Sequence, residues 1–248
     1  MFRPRPARKS DLATASLRFA LYVEGPRDRD VLRLFAQKLS PELARVMDPC
    51  VRILGGRQPD RAARLFGSMV EQAAASDAGT PRGICVLDRD DPQRYNLGFD
   101  AGFDAGSDAG SESMAHDRSI GDAESAGPKR PRLEFVVWRR RQIESYLMVP
   151  RAIGRCIAKH RDDPQIDRML DAWLPDPSNE DAFRELDAKQ VLGHRGPIAK
   201  YLGRPLRAQE IVRSMTPLDI HADVKEVLAR VRDHIASPIE SSIHQDRH

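Results

Sequence analysis

Five carboxylates in this chain of 248 residues stand where they can meet. Glu24 ends the run "ALYVE", Asp28 follows four residues later, Asp88 and Asp90 come after "ICVL", and Glu144 lies six residues past "FVVW". In an open parallel sheet, ligands bind in the crevice outside the carboxyl ends of the strands, so acids placed there converge although they are far apart in sequence. In an extended segment, residues two apart point the same way, so Asp88 and Asp90 can grip one ion while Arg89 turns aside. Oxygen donors without His or Cys partners suit Mg²⁺ or Mn²⁺ better than zinc. Each acid also has a plainer reading. Asp28 at a helix start is favoured by the helix dipole, and "DRDD" is an ordinary polar turn. The ordered set is what points to a metal centre.

Alternating strands and helices must position these acids. "LRFALYV" (17–23) reads as a buried strand; Gly25 permits a sharp turn and Pro26 suits a first helical turn. Val31, Leu32, Phe35 and Leu39 then share one helix face until Pro41 interrupts. "CVRILGG" (50–56) is a second strand, "PDRAARLFGSMVEQAAA" from Pro59 an amphipathic helix, and "GICVLD" (83–88) a third strand. A fourth, "LEFVVW" (133–138), precedes a helix-like "QIESYLM". The fold class is α/β, a mostly parallel sheet flanked by helices over residues 17–150. Beyond Pro150 the sequence turns helical, in "RAIGRCIAKH", "EDAFRELDAKQVL", "PIAKYL" and "PLDIHADVKEVLARVRDHIA", giving a helical C-terminal extension over 151–240.

Composition sets the outer limits. A net charge of +3 is unevenly spread, with a basic arm at 1–16 and six basic residues between Lys129 and Arg141. Such patches suit a polyanion, and equally a solvated face. Residues 96–128, with the repeat "GFDAGFDAGSDAG", are acidic and nearly devoid of aliphatic side chains, and read as a disordered insertion. Asp100, Asp104 and Asp108 recur every fourth residue, but calcium repeats concentrate more oxygen ligands per loop. Cys50, Cys85 and Cys156 are too widely spaced for a zinc knuckle and read as reduced, buried thiols. No apolar run approaches the roughly 20 residues of a membrane helix, so the expectation is a cytoplasmic protein with no membrane contact.

The order of the motifs adds a resemblance. "YVEGPRDRDVL" followed by "CVLDRDD" resembles the glutamate and DxD motifs of the TOPRIM domain, and "RRQIESYL" (140–147) resembles the Arg-x-x-Glu-x-Tyr segment of the OLD (overcoming lysogenization defect) family of nucleases. The resemblance covers roughly residues 18–148. It implies a TOPRIM-like fold and two Mg²⁺ or Mn²⁺ ions: Glu24 with Asp28 on one, Asp88 and Asp90 on a second or shared ion, and Glu144 completing the site. It implies phosphodiester hydrolysis of DNA or RNA in bacterial anti-phage defence. A lysine follows the last carboxylate in that family, which makes Lys189 the first choice and Lys200 the second. Arg141 matches the family's arginine; with Arg139 and Lys200 it is a candidate for contact with the nucleic-acid backbone, whereas Arg140 is expected to solvate a helix start. OLD enzymes carry an ATPase domain, and this sequence has no GxxxxGK phosphate loop, so a separately encoded ATPase is the expected partner. A homo-oligomer is left open. The rival reading is a catalytically silent TOPRIM module that binds nucleic acid or a partner.

Overall fold

The computed structural model describes residues 18–76, 79–89, 130–160 and 163–236. The basic arm, the acidic insertion and Asp90 lie outside the described residues.

Four parallel strands form one sheet in the order β2-β1-β3-β4: β1 (Phe19–Val23), β2 (Val51–Ile53), β3 (Arg82–Leu87) and β4 (Arg132–Val137). Leu21 lies opposite Val51 on one side and Ile84 on the other, and Ile84 lies opposite Glu134. The two central strands are buried on both faces, which is why "FALYV" and "GICVL" are unbroken apolar runs. β4 lies at one end of the order, with four of its six residues only partly covered.

The pleat sorts alternate side chains between two cores. Phe19, Leu21, Val23, Ile84 and Val86 face Val31, Leu32 and Phe35 of helix α1 (Pro26–Leu39), together with Leu43 and Met47 of α2 (Pro41–Met47). Ala20, Tyr22, Cys85, Leu87 and Leu133 face Ala62, Phe66 and Met69 of α3 (Pro59–Ala75). Pro41 does end α1, but it also opens α2, because Ser40 Oγ accepts the Leu43 N–H at 3.2 Å and caps a new helix.

Gly83 shows how tightly α3 sits. A methyl group there would lie 2.8 Å from Leu133 Cδ1 and 3.0 Å from Phe66 Cδ2. Gly83→Ala is therefore expected to cost about 1–2 kcal/mol through overpacking. A chemical denaturation curve should show a lower midpoint at unchanged slope.

After residue 150 come α4 (Pro150–Ala158), α5 (Ile166–Trp173), α6 (Glu180–Glu185), α7 (Ala188–Leu192), α8 (Pro197–Leu202), α9 (Ala208–Ser214) and α10 (Ala222–Ala236). Ile153, Ile211, Val212, Val227 and Val231 from these helices belong to the same apolar cluster as the first sheet face. Two expectations need correction. "EDAFRELDAKQVL" is two short helices, since Asp187 leaves the helical path and its Oδ1 accepts the Gln190 N–H at 2.9 Å. "QIESYLM" is a 3-10 turn, Ile143–Leu147, because Pro150 holds Val149 in extended backbone and stops the turn from propagating.

All three cysteines are buried and free, and burial raises each thiol's pKa. Among the described residues no helix is long and apolar enough to cross a membrane.

Candidate metal centre

The end of β1 is tied down before any acid is placed. The Glu24 carbonyl accepts the N–H groups of Gly55 at 2.9 Å and Gly56 at 2.8 Å, at the exit of β2. Both glycines have positive φ, +80° and +125°, which an L side chain rarely adopts. The Glu24 carboxylate reaches the other way: its Oε1 accepts the Asp88 N–H at 2.8 Å, at the exit of β3. One residue thus fastens three strand ends.

Asp28 enters from the first turn of α1. Its Oδ2 accepts the Gly25 N–H at 2.7 Å, so the plainer reading of a helix-start acid holds. The same side chain also belongs to a cluster. One oxygen each from Asp28, Asp88 and Glu144 lies within 4.8 Å of the others. Glu24 adjoins this trio through Asp88 without being part of it.

Asp88 is buried, with Oδ1 accepting the Ile143 N–H at 3.3 Å and Oδ2 lying 3.5 Å from Lys189 Nζ. Glu144 is 0% exposed, and neither of its carboxylate oxygens accepts a side-chain hydrogen bond. Its partners are ionic: Arg27 Nε at 2.9 Å and Lys189 Nζ at 3.9 Å. Burial, then Asp28, Glu24 and Glu144 against the opposing pull of Lys189, push the Asp88 carboxyl up to about 7. Burial also raises Glu144. For Lys189, burial opposes the charge, but Glu144, Asp88 and Asp28 outweigh it and raise the pKa. The lysine is therefore held as a cation.

The loop that carries Glu144 is clamped. Arg140 is buried rather than solvating a helix start: Nε and Nη2 donate to the two Glu180 oxygens at 2.8 and 2.7 Å, and Nη1 donates to the Ser145 carbonyl at 2.9 Å. Its guanidinium lies 4.3 Å from the Phe183 ring centre. Two residues beyond Glu144, the Tyr146 hydroxyl donates to Asp223 Oδ2 at 2.8 Å and its ring packs 5.2 Å from Trp138. Both aromatics are core residues. Arg140→Lys keeps the charge but loses the fork, and is expected to cost about 2 kcal/mol in thermal or chemical unfolding.

The remaining candidates are distributed unevenly. Lys189, on α7, reaches the trio, whereas Lys200, on α8, is exposed and makes no ion pair with it. Arg139 Nη1 lies 3.3 Å from Asp223 Oδ1, and Arg141 Nη1 lies 3.8 Å from Asp187 Oδ2. His221 Nδ1 accepts the Asp223 N–H at 3.1 Å, a helix-start contact away from the acids. Asp90 is outside the described residues. Sequence reasoning missed Arg27, although it sits inside the quoted "GPRDRD" run. The available signal was its place one residue before an acid aimed at the same crevice. It also missed the Arg140 clamp, for which three consecutive arginines give no distinguishing pattern.

No protein-family model and no curated protein matches the chain. Among solved structures, it is similar to the C-terminal region of the OLD protein of Xanthomonas campestris pv. campestris, at 17% identity and a TM-score of 0.44, over 88% of this chain and 96% of that one. It is also similar to the C-terminal region of the Burkholderia pseudomallei OLD protein, at 16% identity and a TM-score of 0.40, over 88% of this chain and 98% of that one.

Proposed function

We propose that this protein is a Mg²⁺- or Mn²⁺-dependent nuclease that hydrolyses phosphodiester bonds of DNA or RNA, with anti-phage defence as the setting its motifs imply. The observation that carries the reading is the buried trio Asp28, Asp88 and Glu144 beside the Lys189 ammonium. Three carboxylates this close repel one another, and Glu144 is wholly buried with no side-chain hydrogen bond to either oxygen. A buried acid held only by ion pairs, to Arg27 and Lys189, keeps lone pairs for a cation. The donor set is all oxygen, which matches Mg²⁺ or Mn²⁺.

Asp28, Asp88 and Glu144 would hold the ion, with Glu24 and Asp90 completing the motif set. When bound, such an ion supplies an acidified water and polarises the phosphate. The chain's own groups do the rest. Lys189 is 46% exposed at its side chain, so its ammonium is anchored between two acids yet open to a substrate phosphate, where it offsets developing charge. Arg27 braces Glu144 from the helix side. Glu24, through its bond to the Asp88 N–H, fixes the backbone from which Asp88 projects.

The test is incubation of the purified protein with plasmid, single-stranded DNA and total tRNA in Mg²⁺ and in Mn²⁺, with a chelator control. Metal-dependent cleavage that is lost in Asp88→Ala supports the reading. Nucleic-acid binding without cleavage of any substrate would instead establish the silent binding module.

A further inference from the structure

Arg139 and Arg141 adjoin the trio in sequence and pair with Asp223 and Asp187; a second group of cations lies on α1 and α2. A concavity of about 420 Å³ lies between α1 and α2. Arg29, Arg33 and Gln37 line it from α1, at a spacing of four residues that places them along one side of the helix. Arg45 and Asp48 line it from the α2 side. Asp48 is matched by Arg29, whose Nε and Nη2 lie 3.1 and 2.9 Å from Oδ1. Arg45 lies 3.2 Å from Glu42 across an exposed pair, where screening leaves the guanidinium open to competition. Arg33 is exposed and has no ion-pair partner among the described residues. Arg52 Nη1 donates at 2.7 Å to the carbonyl of Pro49, which lines the concavity. Arg29 directly follows Asp28 on α1, about 100° around the helix from it, so the groove runs along a different side of α1 from the trio.

We infer that this groove binds the phosphate backbone of a nucleic acid, with Arg33 and Arg45 as its principal phosphate contacts. The inference rests on the nuclease reading for its choice of ligand. Guanidinium groups along a concave helix pair neutralise successive phosphates without reading bases, so binding through the groove is salt-sensitive and indifferent to sequence.

The experiment is fluorescence anisotropy of labelled single-stranded DNA, duplex DNA and tRNA with the whole protein in chelator, over a range of salt. The variants are Arg33→Glu/Arg45→Glu, Arg33→Ala and, as a charge change outside the groove, Arg168→Glu on α5. The double variant is expected to weaken binding about tenfold and to flatten the plot of log affinity against log salt by about 2. Arg33→Ala, which removes no hydrogen bond or ion pair among the described residues, is expected to flatten it by about 1 and keeps the test valid if the double variant does not fold. Arg168→Glu should change neither. Binding by both groove variants equal to the parent's overturns the inference, as does an effect of Arg168→Glu as large as theirs or a parent that binds none of the three probes. An acidic protein docked in the groove would give the first of these outcomes. The two readings separate cleanly: weakened binding by a parent that never cleaves leaves the groove and removes the nuclease, and cleavage with unaltered binding in the variants does the reverse.

Discussion

Asp88→Asn is expected to give a protein that is more stable than its parent in chelator, no longer stabilised by millimolar Mg²⁺, and inactive. The Asp88 carboxyl is raised from 3.8 to about 7 in the fold, mainly by burial and then by Asp28. Below about pH 4 both folded and unfolded chains hold that proton, and the site costs nothing. Between about pH 4 and 7 the unfolded chain releases it first, so metal-free stability falls as pH rises, and the loss is complete above about 7. The full shift corresponds to an upper limit on the order of 4 kcal/mol. Asn removes that penalty, which is already net of the Lys189 attraction, and keeps an acceptor for the Ile143 N–H. A net gain of about 2–3 kcal/mol at neutral pH is the expectation. The parent should instead gain about 2.7 kcal/mol from free metal at a hundred times its Kd, or about 5–10 °C in Tm. Melting curves across pH, with and without metal, decide the matter. A parent insensitive to both Mg²⁺ and Mn²⁺ would remove the metal centre.

Lys189→Ala is expected to separate chemistry from metal binding. Removing a preorganised cation from beside a reacting phosphate lowers turnover about 10²- to 10³-fold, or about 3–4 kcal/mol. The same change leaves the trio more negative, so the metal concentration that gives half-maximal stabilisation should stay the same or fall. Single-turnover cleavage and metal-dependent melting, measured on one preparation, test both halves. Turnover at the parent's level would take Lys189, which pairs with Asp88 and Glu144, out of the reaction.

Much of this arrangement can be read in the sequence where one short segment carries the whole physical reason. β1 and β3 are legible because strands covered on both faces must be apolar throughout, and the turn at Gly25 and Pro26 declares the start of α1. The acids at strand ends follow from the parallel order alone. What escaped notice depends on contacts between distant segments. Arg27 and Glu144 form an ion pair that no local spacing encodes. Arg140 is distinguished from Arg139 and Arg141 only by Glu180 and Phe183, which α6 brings over it. The short helices α6 and α7 read as one in the sequence because their apolar period runs through Leu186, and only the Asp187 cap breaks it.

The distance along the chain between Asp88 and Lys189 has a consequence in time. They are separated by 101 positions. At translation rates of about 5–20 residues per second, roughly 5–20 seconds pass between synthesis of the acid and synthesis of its ammonium partner. During that interval the nascent chain has the carboxylates of β1, α1 and β3 without the cation that tempers them. The Arg140 clamp also waits for Glu180, and the Tyr146 hydroxyl for Asp223. A chain stalled before α7 therefore holds the acids without the ammonium that pairs with them.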